Sequence, residues 1–146
     1  MDTASAIGNV QTPPVFPVSN EAFIDINQGD WEGVTRSDVK AVFPDLYARW
    51  MESPEEVRFP NGENLQEAFD RLWNAFRGVL ENVEDGDAVI VSHHIALRLV
   101  FCGILGLRLG QYRQFEIAPA SVSEVRVDHG GLVIHRLNDT GHLGCL

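Results

Sequence analysis

The sequence predicts an α/β fold, and three observations carry that reading. Between Leu65 and Val83 the apolar residues Leu65, Ala68, Leu72, Phe76, Val79 and Val83 recur at the helical period of 3.6. The turn Asp85-Gly86-Asp87 then leads into the apolar run Ala88–Val91, short enough for a buried strand, and a second apolar helical pattern follows over 94–105. Helix, turn, buried strand, turn, helix is the order of an α/β layer. Finally, 121–127 (SVSEVRV) and 132–137 (LVIHRL) alternate at period 2 around Asp128-His129-Gly130-Gly131, which reads as a hairpin.

The remaining elements follow from punctuation. Residues 11–19, QTPPVFPVS, hold three prolines and read as an extended connection. Phe23–Ile26 alternates weakly, as a short strand would, and GDWEG at 29–33 is a turn. Thr35 followed by Asp38 resembles a capping box, so a helix starts there and ends near Pro44. A further helix spans Leu46 to Met51. Ser53-Pro54-Glu55-Glu56 is a start signal that RFPNG at 58–62 cuts to a short turn. Asn64, with Glu67 three residues on, caps the 65–83 helix. The 94–105 helix ends at Gly103 or Gly106, and a short helix covers 110–115.

Composition narrows the class. The chain has 146 residues, read here as one domain over 1–146; such a length buries roughly two thirds of its unfolded surface. No apolar run nears the ~20 residues that span a bilayer, and MDTASAIGNV lacks the pattern of a signal peptide. A net charge of −10 disfavours nucleic acid and anionic membranes. Ten of the eleven basic residues are arginine, suited to bidentate phosphate or carboxylate contacts, or simply to surface ion pairs. Cys102, inside VFCGIL, reads as a small core residue, and a disulfide to Cys145 has no support. Two cysteines fit a reducing, cytoplasmic setting.

The chemistry concentrates at Ser92-His93-His94. Ligands of open α/β sheets bind beyond the carboxyl ends of strands, where helix N-termini offer free N–H groups. His93 sits at such an end, placed to meet an anionic group; the plainer alternative is a capping or packing residue. That alternative is stronger for His94, whose side chain should face the other way. No metal site is expected, because no H-x-x-H, H-E-x-x-H or cysteine pair accompanies the histidines.

Four segments, in order, resemble the histidine phosphatase superfamily, the phosphoglycerate-mutase-like enzymes. FIDINQGDWEG (23–33) is similar to its L-x-E-x-x-F-G-x-W-E-G segment, and PNGENLQEAFDR (60–71) to its P-x-G-E-S segment and helix. VIVSHHIALR (89–98) resembles V-x-V-S-H-G-G-x-x-R, and LNDTGHL (137–143) the usual ending. The resemblance implies a three-layer α/β/α domain and a phosphomonoester substrate, with no cofactor. A histidine would take the phosphoryl group as a phosphohistidine and water would release it. His93 would then be the second histidine, bonded to the transferring phosphoryl oxygens. Asp25 would protonate the leaving oxygen, and Glu63 would shape the pocket. Asn64 and His94 would line it.

The departures are specific. No histidine here follows an arginine, so the family's Arg-His-Gly nucleophile triplet is missing from this sequence. Asp25 stands where glutamate is usual, His94 where glycine is, and Asn64 where serine is. The chain therefore reads as the C-terminal part of such a domain, without its first strand and early arginines. It is expected to be inactive alone and to form a homodimer or to pair with a complementing N-terminal segment. Phosphatase is favoured over mutase because the stretch between GDWEG and the 65–83 helix is short. A non-catalytic interaction or regulatory module, or a half-enzyme completed by another chain, are the alternatives.

Overall fold

A computed structural model describes residues 2–83, 86–128 and 131–144. Seven regular elements are present among them: α1 (Thr3–Asn9), α2 (Arg36–Val42), α3 (Pro44–Glu52), α4 (Leu65–Asn82), α5 (His94–Leu105), β1 (Val122–Asp128) and β2 (Gly131–Asp139). Short 3-10 turns connect them, including Pro54–Glu56 and Leu109–Gln114.

The helices begin where local chemistry says they should. Thr35 accepts the Asp38 N–H and donates its hydroxyl to the Asp38 carboxylate, starting α2. Pro44, expected as a stop, does more: it occupies the first turn of α3, so two short helices abut. Asn64 and Glu67 form a reciprocal capping box on α4. Gly106 closes α5 in the left-handed region at φ 65°, which costs glycine little. The first helix was not anticipated. Asp2 caps it by accepting the Ala4 N–H, a one-residue signal hidden beside the proline-rich connection.

The core lies between α4 and α5 and the aromatic residues below them. Leu65, Ala68 and Leu72 of α4 meet Ala96, Leu99 and Cys102 of α5, all fully buried. Gly103 lets the two helices close: a methyl group there would sit 2.5 Å from the Trp73 ring. Burial pushes the Cys102 thiol up to about 11, as expected of a small core residue rather than a reactive one. Cys145 lies outside the described residues. The same core takes in Trp31, Trp50 and Phe59, with Phe59 ring centroids 5.0 Å from Trp31 and 4.7 Å from Trp50.

The sheet departs from expectation. β1 and β2 pair antiparallel, with register shifts around Glu124; part of the expected turn, His129 and Gly130, lies outside the described residues. The expected buried strand at 88–91 is not formed. The segment has no regular structure and pairs with no described strand, and Val89 is 72% exposed. An apolar run is strand-like locally, but a strand exists only when a neighbour takes its N–H and C=O groups. Phe23–Ile26 is likewise no strand: a 3-10 turn at Glu21–Phe23 runs into extended chain.

Candidate functional site

The segment 22–27 is held on three sides. From α4, Arg71 donates to the carbonyls of Ala22 at 2.9 Å, Ile24 at 3.1 Å and Asp25 at 3.2 Å. The same guanidinium grips both oxygens of Glu63, at 3.0 and 2.8 Å, and Glu63 also accepts the Asn27 N–H at 2.9 Å. From the approach to α5, the Ser92 hydroxyl donates to Phe23 O at 2.7 Å. The loops carrying Gly29 and Gly62 meet backbone to backbone: an added methyl at Gly62 would lie 2.4 Å from Asn27 O.

This clamp fixes Asp25 at the α5 N-terminus. His93 is the N-cap of that helix, yet its side chain makes no capping bond. Asp25 Oδ1 accepts the Ala96 N–H at 3.3 Å instead, and its own neighbour's Ile26 N–H at 3.0 Å. A carboxylate there satisfies an orphan amide and meets the positive end of the helix dipole. Asp25, His93 and His94 thus converge on one helix start. Both imidazoles are exposed.

Glu63 and Asn64 sit further back. Both Glu63 oxygens are taken by Arg71 and Asn27, so it holds the Asp25 segment in place. Asn64 caps α4 through its side-chain oxygen. Burial pushes the Glu63 carboxyl up, but the Arg71 hydrogen bonds, the Asn27 N–H and the Arg71 charge outweigh it and hold the group below its ordinary value. The stability this gives is complete above the unfolded value of 4.5 and disappears as pH falls through the lowered folded value. Glu63→Gln should therefore flatten the acid limb of a urea-midpoint profile between about pH 3 and 5. An unchanged limb would show that the pairing contributes nothing.

Beside the first turn of α5 opens a cavity of about 530 Å³, between α2, α3, α5 and the 3-10 turn Leu109–Gln114. Trp31, Tyr47, Trp50 and Tyr112 give it aromatic walls. Its polar lining includes Arg36, Arg98, Arg113 and His94, and no aspartate or glutamate among the described residues. Arg113 lies over the Trp50 and Tyr112 rings, 5.0 and 5.1 Å from their centroids, and its Nε donates to the Tyr112 hydroxyl at 2.9 Å. Burial pushes the Tyr112 hydroxyl up; Arg113 and Arg98 pull it back, and Asp25 adds to the rise. Those charges therefore share one neighbourhood.

Sequence reasoning placed His93, His94 and Asp25 here but gave no role to Arg71 or Arg98. Both end segments already singled out, PNGENLQEAFDR and VIVSHHIALR, and Arg98 lies one helical turn beyond His94. Among the described residues no cluster of three histidine, cysteine, aspartate or glutamate side chains could hold a metal ion. No described helix is long and apolar enough to cross a membrane.

The structure superposes on YhfR of Bacillus stearothermophilus with a TM-score of 0.80, at 22% identity, over 85% of this chain and 62% of that one. A sequence model of the Histidine phosphatase superfamily (branch 1) matches residues 1–140, and the chain belongs to that family. It is 32% identical over 131 residues to phosphoserine phosphatase 1 of Hydrogenobacter thermophilus, covering 87% of this chain and 60% of that protein. It is 32% identical over 100 residues to a probable phosphoglycerate mutase, GpmB, of Erwinia tasmaniensis, covering 64% of this chain and 46% of that protein. The chain thus spans less than two thirds of these proteins.

Proposed function

We propose that this chain supplies one half of a phosphomonoester hydrolase site, built around the N-terminus of α5. The observation that carries the reading is the Asp25 carboxylate bonded to Ala96 N–H, one turn from His93. In this reading His93 bonds the transferring phosphoryl oxygens, aided by the helix N-terminus. A nucleophilic imidazole attacks phosphorus, the ester P–O bond breaks, and Asp25 gives its proton to the departing alkoxide. Water then hydrolyses the phosphohistidine to inorganic phosphate. Glu63 and Asn64 fix the frame through Arg71 and the α4 cap, and His94 lines the substrate side. The substrate is a small phosphorylated molecule; the name of the relative at 32% identity, a phosphoserine phosphatase, fits that class.

The nucleophile is the missing part, since no histidine in this sequence follows an arginine. The segment 88–91, unpaired among the described residues and with Val89 exposed, favours a complementing Arg-His-Gly strand as the partner over a second copy of this chain. Para-nitrophenyl phosphate at mildly acidic pH tests this. The chain alone should run near background, and added peptide bearing an Arg-His-Gly strand should raise the rate. His93→Ala should cut that restored rate by roughly 100-fold. A restored rate indifferent to His93→Ala removes His93 from the chemistry. No rate with any peptide favours a non-catalytic module.

A further inference from the structure

The sequence holds one Asn-Gly pair, Asn61-Gly62, inside the RFPNG segment that ends the turn after Ser53. An asparagine before glycine is prone to modify itself, because no side chain shields or restrains the glycine nitrogen. That nitrogen loses its proton and attacks the side-chain carbonyl carbon of the asparagine. A new C–N bond closes a succinimide, and the side-chain nitrogen leaves with the proton as ammonia. Water then opens the ring at either carbonyl, giving aspartate or isoaspartate. Water is the only co-reactant.

Asn61 is exposed, so water reaches it, yet both reacting groups are restrained. The Gly62 N–H donates to Phe59 O at 2.9 Å, which opposes loss of its proton. The Asn61 side-chain amide donates to both oxygens of Asp30, at 3.0 and 3.1 Å. Bonds to a carboxylate are strong, and they leave the amide carbon a poorer electrophile. The Asp30 charge also opposes an anionic glycine nitrogen nearby. The surrounding backbone is sewn shut. The Asp30 N–H donates to Pro60 O and the Glu63 N–H to Asn27 O, each at 2.9 Å, and Arg58 Nη1 donates to Gly62 O at 2.9 Å. Asn61 itself is held at φ 56°.

We propose that Asn61-Gly62 is a self-modification site kept silent by the closed 59–63 loop and discharged, one way, when that loop opens. The product does not fit the closed form. Either acid replaces an amide donor with a second carboxylate facing Asp30, and like charges so close repel. Isoaspartate also adds a methylene to the main chain where the two loops touch, and a single methyl on Gly29 would already lie 2.0 Å from Pro60 O. Glu63 follows directly and holds Arg71 and the Asn27 N–H, so conversion at 61 loosens the clamp on Asp25. The working life of the site is then counted in loop openings. This release needs no phosphoryl chemistry.

Peptide mapping by mass spectrometry, with isoaspartyl methyltransferase labelling, follows the conversion at mildly alkaline pH. The full chain should convert about tenfold or more slowly than a free peptide of residues 58–64, because only its open fraction reacts. Arg71→Met, which unties the Glu63 side of the loop, should raise the rate of the chain severalfold. Asp30→Asn should raise it too, with the circular dichroism spectrum unchanged. Asn61→Asp, the product made in advance, should lower the urea midpoint at neutral pH. Adding Asp30→Asn to that variant should recover the midpoint, because amide and acid have then exchanged places. Conversion of the folded chain at the rate of the peptide would overturn the proposal. So would protection that survives Asp30→Asn, or an Asn61→Asp variant as stable as the parent.

Discussion

Phe59→Ala should destabilise the protein by about 4 kcal/mol, as phenylalanine truncations in cores typically do. The side chain is 1% exposed and has nowhere to relax. Its ring lies edge-on to Trp31 at an interplanar angle of 74° and tilted against Trp50 at 58°. Aromatic contacts of this kind add to the area term. Its backbone also closes the Glu63 loop, receiving the Gly62 N–H and donating to Glu63 O. A domain of this size has about 5–15 kcal/mol in total, so the variant should lose a large part of it. Urea unfolding followed by tryptophan fluorescence would show the midpoint fall with an unchanged slope. Phe59→Leu, which keeps most of the volume, should cost under about 1.5 kcal/mol. A loss below about 1 kcal/mol for the alanine variant would mean that this cluster is not the core it resembles.

Arg71→Met should cost about 3 kcal/mol, near the low end for breaking a buried pair because both partners are about a fifth exposed. Methionine keeps the apolar stem but removes five hydrogen bonds, two to Glu63 and three to the carbonyls of Ala22, Ile24 and Asp25. It strands the Glu63 charge with little beyond the Asn27 N–H. Pairing the change with Glu63→Gln should recover part of the loss, because the stranded charge goes with it. Arg71→Lys keeps the charge but cannot reach both loops with a fork, so it should fall between the two. Additive single effects in the double variant would show that Arg71 and Glu63 do not act as a unit.

These two residues also mark the boundary of what the sequence makes legible. The helices were readable because their signals are local: Asn64 and Glu67 cap α4 within one turn, and Gly106 stops α5 at its own position. The hairpin was readable from alternation on both sides of a turn. The run Ala88–Val91 carries the same kind of local signal, yet pairing is decided by a partner far away in the chain or outside it. The site divides the same way. His93 and His94 announce themselves at a helix start. Arg71 resembles any arginine on an amphipathic helix, and only its contacts 46 to 49 residues away reveal it as the clamp on Asp25. Arg98 resembles a solvated charge until its buried, unpartnered Nε beside the cavity is seen.

The bonding of Asp25 has a directional consequence. Oδ1 receives two amides, while Oδ2 accepts no hydrogen bond from a described residue. A proton on this carboxyl would therefore reside on Oδ2, since moving it to Oδ1 would break two backbone contacts. For the acid role proposed above, the direction of proton delivery is then set by main-chain amides of a helix and its docked loop, not by the rotation of a side chain.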